Sequence, residues 1–362
     1  MTVAVIDSGV DANHPDLRGQ VLKGADFVDG TTDGRSDVVG HGTTVAALIA
    51  GRGDDSNGVI GLAYQAKILP VRVLDPQNEY DSADQVARAV RWAVDHGARV
   101  INMSLGSADA APVLSDAVSY AFRHDVVVVA CDGNLSNNRG TAVWHPARQP
   151  GVVAVAGVER TGMFWDGSLQ GPETVLTAPS ADITGAHPGG TYWRVNGTSF
   201  AAPLVTATAA LIRSKYPKLS AATVISRLIL TAWDFGPKGR DPEYGYGIVN
   251  PAKALTADVP ATATNPLLAG PPANRGGQQT APGSPDKPGP PTSVGTPQAG
   301  PERATDRFWP GVVYALLALS CVALVMFAVL IVVGLLLLRR RRTPAAPPLG
   351  SPVDRAGRSN TP

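Results

Sequence analysis

The chain has 362 residues and a formal net charge of +1. A charge so close to zero argues against a nucleic-acid partner, because binding to phosphates requires an excess of Lys and Arg. Two cysteines are present, Cys131 and Cys321, and the second lies inside a long apolar run. We therefore expect no disulfide between them and a fold that depends on its hydrophobic core.

Apolar segments alternate with helical patterns through the first 255 residues. Two stretches have apolar residues at helical spacing and are predicted helices, residues 82–98 and 112–125. Short apolar runs are predicted strands, and they are TVAVID, part of VIGLAYQAKILPVRVLD, VINMSL, VVVVAC and GVVAVAGV. The alternation predicts an α/β domain with a largely parallel central sheet and helices on both faces.

Residues able to do chemistry follow several of these predicted strands. Asp7 ends the first strand, Ser104 lies near the end of VINMSL, and Asn134 follows VVVVAC. Two further candidates stand where apolar helices begin: His41 in GHGTTVAALIAG and Ser199 in NGTSFAAP. Because ligands of such sheets bind outside the carboxyl ends of the strands, we expect these side chains to lie together.

These residue types match the needs of peptide-bond hydrolysis by a hydroxyl. That reaction requires a nucleophile, a base that takes its proton, an acid that orients the base, and donors to the oxyanion. We predict that Ser199 is the nucleophile, His41 the base and Asp7 the orienting acid. Asn134 is the predicted oxyanion donor, with the alternative that it caps a turn after Gly133.

The motifs around these residues resemble those of the subtilisin-like proteases, over roughly residues 2–255. The shared features are an apolar strand ending in Asp-Ser-Gly, the HGT start of one helix and the GTSFAAP start of another. The resemblance implies a subtilisin-like three-layer fold and a serine endopeptidase with a polypeptide substrate. It also implies that Ser104, Leu105 and Gly106 pair with the substrate backbone.

The sequence departs from the family pattern before Gly133-Asn134, where Cys131 and Asp132 replace small apolar residues. We interpret Cys131 as a buried apolar residue rather than a nucleophile. Two orientations of Asp132 stay open: toward the specificity pocket, where it would favour basic side chains, or away from it.

No cofactor or metal is expected. Two acidic loops could hold structural calcium but match no known loop, and we expect them to be solvated; their residues are Asp33, Asp37, Asp54, Asp55 and Asn57.

The C-terminal third has a different composition. We assign residues 1–257 to the peptidase domain, 258–308 to a disordered Pro/Gly-rich linker, 309–338 to a transmembrane helix and 339–362 to a short basic tail. Residues 312–338 contain no charged residue, and this run is longer than the roughly 20 residues needed to cross the hydrocarbon core.

Arg339–Arg342 follow the apolar run directly and predict a cytoplasmic C-terminus. The protein is then a single-pass protein of the cell membrane with its protease domain outside the cytoplasm. The chain opens with a predicted strand rather than a signal peptide, so we expect the native protein to begin upstream of Met1.

The membrane segment, the proline-rich linker and the GTSFAAP motif are most similar to those of the mycosins, the subtilases associated with type VII secretion. This resemblance implies contact with subunits of a secretion complex. The sequence leaves two functions open: an active endopeptidase, or a scaffold of that complex with little proteolytic activity. Intact Asp7, His41, Asn134 and Ser199 favour the endopeptidase.

Overall fold

The computed structural model describes residues 1–53, 58–135 and 141–268, all within one compact unit. Its main sheet has seven parallel strands. In chain order they are β1 Thr2–Asp7, β2 Ala25–Asp26, β3 Lys67–Arg72, β4 Val100–Met103, β5 Val127–Cys131, β6 Val153–Val158 and β7 Leu176–Pro179. Their order across the sheet is β2-β3-β1-β4-β5-β6-β7, which confirms the α/β prediction with a largely parallel sheet.

Helices pack against this sheet on both faces. They are α1 His41–Ala50, α2 Ala83–Asp95, α3 Pro112–Arg123, α4 Thr198–Lys215, α5 Ala221–Leu230 and α6 Pro251–Thr256. Helices α1 and α4 pack on each other and on the central strands, whereas α2 and α3 pack on each other and on β1, β3 and β5. The predicted helices at 82–98 and 112–125 correspond to α2 and α3. Ser82 caps α2 by accepting a hydrogen bond from the Gln85 amide.

Strand register brings three residues to one level of the sheet. Ile6 is paired with Met103, and Met103 with Ala130. The residues that follow these three in the chain are Asp7, Ser104 and Cys131. They therefore lie side by side at the carboxyl edge of the sheet. Every side chain of β4 and β5 is buried, which is why these strands are almost continuously apolar.

An antiparallel hairpin follows the main sheet and had no clear sequence signal. Strands β8 Ile183–His187 and β9 Thr191–Val195 form it, and β9 leads directly into Gly197 and α4. Helix α1 packs against β8. The Thr44 hydroxyl donates to the Ala186 carbonyl at 2.7 Å and accepts from the Trp193 indole at 2.7 Å. The hairpin thus joins the segments that carry His41 and Ser199.

The packed region extends past the domain boundary expected from composition. Composition predicts this boundary at residue 257, whereas residues 258–268 also hydrogen-bond to the domain. The Thr223 hydroxyl donates to the Thr262 carbonyl at 3.1 Å, and the Gly151 amide donates to the Leu267 carbonyl at 3.1 Å. Polar backbone contacts of this kind leave no apolar periodicity in the sequence. The rest of the predicted linker, the membrane segment and the tail lie outside the described residues.

Among residues 1–53, 58–135 and 141–268, none of the helices is both long and apolar enough to cross a bilayer. Helix α4 has 18 residues but is interrupted by charged residues near its C-terminus, Arg213 and Lys215. Its core-facing side is rich in alanine, which lets the helix approach the sheet closely. Helix α4 is therefore the central buried helix of the domain.

A half-buried carboxylate anchors the C-terminal end of α4. Arg213 is 1 % exposed, and its guanidinium reaches Asp125 Oδ2 at 3.3 Å; Arg99 reaches the same oxygen at 2.8 Å. We expect Asp125→Asn to lower the free energy of unfolding by about 1–3 kcal/mol, because it leaves a buried cation without its counter-charge. Urea denaturation measures this change.

The matched control is Asp84→Asn, which breaks the exposed pair with Arg88 on α2. This change should alter the free energy of unfolding by less than about 0.5 kcal/mol. Equal losses in the two variants would show that the Asp125 carboxylate does not stabilise α4.

Candidate active site

One cleft of about 990 Å³ opens at the carboxyl edge of the sheet. The sequence candidates that line it are His41, Ser104, Leu105, Gly106, Asn134 and Ser199. Asp7 lies directly behind His41 and is completely buried. The structure therefore brings all seven predicted site residues together from five separate segments of the chain.

The Asp7 carboxylate holds the His41 ring from behind. Asp7 Oδ1 lies 2.7 Å from His41 Nδ1 and also accepts a hydrogen bond from the Ser8 amide at 2.8 Å. Burial of the ring disfavours the imidazolium, but the charge and hydrogen bond of Asp7, with the charge of Asp37, raise the pKa of His41 above its ordinary value. The Nδ1 atom is occupied, so Nε2 is the ring nitrogen free for chemistry in the cleft.

A second buried carboxylate, Asp37, positions the start of α1. Its Oδ1 accepts hydrogen bonds from the Ser8 hydroxyl and from the Val39 and Gly40 amides, and its Oδ2 accepts from the Thr43 amide and hydroxyl. The expectation of a solvated loop is wrong for this residue, because Asp37 is only 6 % exposed. It joins the loop after Asp7 to the helix that begins at His41.

Ser199 lies in the first turn of α4 with its hydroxyl at the cleft. The hydroxyl donates to the Ser104 carbonyl at 3.2 Å and lies 3.9 Å from Cys131 Sγ. In the described part of the chain it makes no hydrogen bond to His41. The neighbouring Phe200 ring contacts the His41 ring, with 5.4 Å between their centroids. Ser199 and His41 thus line the same cleft, and the Ser199 hydroxyl is turned toward Ser104.

Asn134 has its amide oriented by α4. Its Oδ1 accepts from the Thr198 amide at 2.9 Å and from the Thr198 hydroxyl at 3.1 Å. These two bonds occupy the oxygen and leave Nδ2 as the donor on the other side of the amide. The side chain therefore does more than cap a turn: it bridges the loop after β5 to the N-terminus of α4.

The predicted substrate segment 104–106 divides into different roles. The Ser104 side chain is buried, donates to the Ser199 carbonyl at 2.6 Å and accepts from Asn102 Nδ2 at 2.9 Å. Leu105 is 6 % exposed and belongs to the core. Backbone rather than side chains is therefore the part of this segment available to an extended peptide.

The two unusual residues before Gly133 are buried on opposite sides of β5. Cys131 lies behind Ser199, and burial raises the pKa of its thiol to about 12, which suits an apolar packing role. Asp132 does not line the cleft; its Oδ2 accepts from the Thr174 hydroxyl at 2.6 Å. Of the two orientations left open, the structure has the one that points away from the cleft.

Burial without a cation raises the pKa of Asp132 to about 8. The native state then keeps this proton up to about pH 8, whereas an unfolded chain releases it near pH 4. Between those values the unfolded state binds fewer protons, so the free energy of unfolding falls as pH rises. We expect Asp132→Asn, which resembles the protonated acid, to avoid this loss and to be more stable than wild type by a few kcal/mol at pH 8.

Denaturant unfolding of wild type and Asp132→Asn at several pH values between 4 and 8 measures the difference. Asp116→Asn, on the exposed side of α3, is the control and should follow the wild-type curve. Parallel curves for wild type and Asp132→Asn would mean that Asp132 is ionised in the folded protein.

The acidic loops give no metal site among the residues described. Asp33 pairs with Arg35 at 2.6 Å. Both carboxylate oxygens of Asp37 already accept hydrogen bonds from the loop after Asp7 and from the start of α1. No group of three or more potential His, Cys, Asp or Glu ligands occurs within 1–53, 58–135 and 141–268. The other candidates, Asp54, Asp55 and Asn57, lie outside the described residues.

A sequence profile described as the subtilase family matches residues 1–247. The chain belongs to the subtilase family. It is therefore a serine protease of the subtilisin type. Subtilisin DY from Bacillus licheniformis is 37 % identical over 252 residues, covering 68 % of this chain and 88 % of that protein. Subtilisin E from Bacillus subtilis (strain 168) is 39 % identical over 249 residues, covering 68 % of this chain and 64 % of that protein.

Solved structures of subtilases have the same fold. MycP1 with its N-terminal propeptide removed matches at a TM-score of 0.67 and 30 % identity, over 73 % of this chain and 92 % of that one. The MycP3 protease from the type VII (ESX-3) secretion system matches at a TM-score of 0.63 and 34 % identity. The match covers 71 % of this chain and 83 % of the MycP3 chain. The similarity to mycosins expected from the motifs is confirmed.

Sequence reasoning missed three residues of this subtilase site: Asp37, Thr198 and Trp144. Asp37 had a usable signal, since it stands four residues before His41 at the start of a helix. Thr198 was within the quoted GTSFAAP motif, but its contact with Asn134 joins residues 64 apart. Trp144 lines the cleft and carried no pattern.

Proposed function

We propose that this subtilase is a membrane-anchored endopeptidase in which Asp7, His41 and Ser199 form the catalytic triad. The observation that carries the proposal is the 2.7 Å contact between Asp7 Oδ1 and His41 Nδ1, in a cleft that also exposes the Ser199 hydroxyl. That contact leaves His41 Nε2 as the base. In the proposed reaction the Ser199 hydroxyl leaves the Ser104 carbonyl and donates to His41 Nε2, which lines the same cleft.

In the proposed reaction, Ser199 Oγ attacks the carbonyl carbon of the scissile peptide bond while His41 takes the hydroxyl proton. Asp7 stabilises the imidazolium that forms, because its carboxylate is buried against Nδ1. His41 then donates the proton to the departing amine, and water hydrolyses the acyl-enzyme by the same steps. The base must be neutral at the start, so activity requires a pH above the raised pKa of His41.

The oxyanion would bind between Asn134 Nδ2 and the Ser199 amide. Thr198 holds the Asn134 oxygen at 2.9 Å, so the amide is oriented before substrate binds. The Ser199 amide belongs to the first turn of α4, where backbone N–H groups have no intrahelical acceptor and the helix dipole favours negative charge. Preorganised donors of this kind lower the energy of the tetrahedral intermediate.

Extended polypeptide is the proposed substrate class. The backbone of Ser104–Gly106 lies beside Ser199 along the cleft, where a peptide strand can pair with it. Backbone pairing aligns the scissile bond with little dependence on sequence. Selection among substrates then depends on the pockets that receive side chains.

The proposed location is outside the cytoplasm, at the membrane. Support comes from the uncharged run of residues 312–338, followed at once by Arg339–Arg342. Similarity to MycP3, a protease from a type VII secretion system, supports a place beside the subunits of such a complex. The part of the predicted linker that follows residues 258–268 would serve as the tether between domain and membrane.

A fluorophosphonate probe tests the proposed nucleophile on the full chain in detergent. We expect wild type to be labelled, Ser199→Ala to be unlabelled and His41→Ala to be labelled weakly, because the probe reacts with an activated serine. Ser107→Ala, another serine of the cleft, should be labelled like wild type. A folded wild-type protein that resists labelling would contradict catalysis and favour the scaffold.

The oxyanion role of Asn134 has its own kinetic signature. Asn134→Ala should lower kcat by about 10²–10³ with little change in KM, because the lost hydrogen bond forms only as charge develops on the carbonyl oxygen. Gln77→Ala, at the exposed rim of the same cleft, should change kcat by less than about threefold. A loss confined to KM would assign Asn134 to substrate binding instead. Peptide hydrolysis under saturating and limiting substrate separates these results.

A further inference from the structure

An indole ring forms part of the wall of the cleft that contains Ser199. Trp144 lines the cleft although it is only 5 % exposed. It packs between two backbone segments that also border the cleft, one at Gly106 and one at Gly133. A Cβ atom added to Gly106 would lie 3.1 Å from Trp144 Cβ, and one added to Gly133 would lie 2.4 Å from Trp144 Cδ2. The Trp144 Cβ therefore lies against Gly106 and the indole ring against Gly133, where the missing glycine side chain permits the close approach of the ring.

Hydrogen bonds fix the backbone around Trp144 to both segments. The Trp144 amide donates to the Asp132 carbonyl at 2.9 Å. The next residue, His145, exchanges two backbone hydrogen bonds with Ser107, at 2.8 and 3.1 Å. These bonds fix the position of the Trp144 backbone. Packing of the ring against Gly133, at a site where Trp144 is only 5 % exposed, restricts rotation of the indole, so the ring is part of the wall rather than a movable cover.

The proposed reaction places a substrate side chain against this ring. The scissile carbonyl would lie between Ser199 Oγ and Asn134 Nδ2, with the peptide paired along Ser104–Gly106. The residue that supplies this carbonyl then has its side chain between the segments at 104–106 and 133–134. Trp144 borders this space, with its Cβ against Gly106 and its ring against Gly133.

We propose that Trp144 restricts this subtilase to substrates with a small side chain, Gly, Ala or Ser, on the residue that supplies the scissile carbonyl. The inference rests on the proposed active site and adds the substrate class. A larger side chain would overlap an indole that packing and hydrogen bonds hold in place. Close-packed groups of this kind relax only partially, so a bulky residue would be rejected rather than accommodated.

The test compares two peptide substrates that differ only in this residue, Ala or Phe. The full chain in detergent is assayed as wild type, Trp144→Ala, Trp144→Val and the control Trp233→Ala, whose indole is 60 % exposed and does not line the cleft. We expect wild type to prefer Ala. Both Trp144 variants should raise the ratio of kcat/KM for Phe over Ala by about tenfold or more, because they open the pocket. The control should leave the ratio unchanged.

The test uses the ratio of kcat/KM for the Phe and Ala substrates because a purely structural role of Trp144 would lower kcat/KM for both substrates together. Should Trp144→Ala fail to fold, Trp144→Val leaves a smaller cavity and carries the same expectation. Folded, active Trp144 variants with the wild-type ratio would overturn the inference. So would a wild type that cleaves after Phe as readily as after Ala.

A binding measurement separates this inference from the proposed function. Ser199→Ala protein, with and without Trp144→Val, is titrated with product-like peptides that end in Ala or Phe. We expect the Phe peptide to bind at least about tenfold more tightly once Trp144 is shortened. If wild type neither cleaves peptides nor reacts with the probe, the proposed function fails, and this titration still decides whether Trp144 closes the pocket. If the Phe peptide bound Ser199→Ala with the same affinity whether or not Trp144 was replaced by Val, the inference would be overturned.

Discussion

A fully buried carboxylate at the end of a central strand sets the geometry of the whole site. Asp7 is 0 % exposed, and an isolated charge at such a depth is strongly unfavourable unless a partner offsets the lost hydration. His41 is that partner, at 2.7 Å. Because β1 is the third of seven strands and pairs with neighbours on both sides, Asp7 has almost no freedom to move. The position of the imidazole therefore follows from the position of the sheet.

The remaining contacts of the site transmit this rigidity to the other chemical groups. Asp37 ties the loop after Asp7 to the start of α1, and Thr198 ties Asn134 to the start of α4. Ser104 joins the β4 edge to the Ser199 backbone at 2.6 Å. The segments that carry Ser199, His41 and Asn134, proposed as nucleophile, base and oxyanion donor, are thus held to one another by buried polar bonds. Such support preorganises a site better than mobile loops would.

The lining of the cleft depends on residues that lie outside the sequence motifs. Asp132 departs from the small apolar residues that its family motif favours, yet it points away from the cleft and bonds to Thr174. Trp144, which no motif marked, lines the same cleft as Ser199. The shape of a pocket depends on which distant segments meet there. A residue's distance from the motif along the chain is therefore a poor guide to its effect on specificity.

Much of the fold could be predicted from sequence because its signals are local. Buried parallel strands appear as apolar runs, helices as periodic patterns, and the chemical residues as short motifs at strand and helix ends. The hairpin β8–β9 and the packing of residues 258–268 had no comparable signal. Their stability comes from contacts with remote parts of the chain, such as Thr44 with Ala186 and Gly151 with Leu267.

The amino-acid sequence by itself determined the α/β class, the family, and which side chains could act as acid, base, nucleophile and oxyanion donor. Only the tertiary structure decided that Asp37 is buried, that Asp132 faces away from the cleft and that the Trp144 side chain lines the cleft that contains Ser199. The physical reason is that chemical identity and periodicity are properties of short segments. Burial, orientation and pocket shape arise where segments far apart in the chain pack against one another.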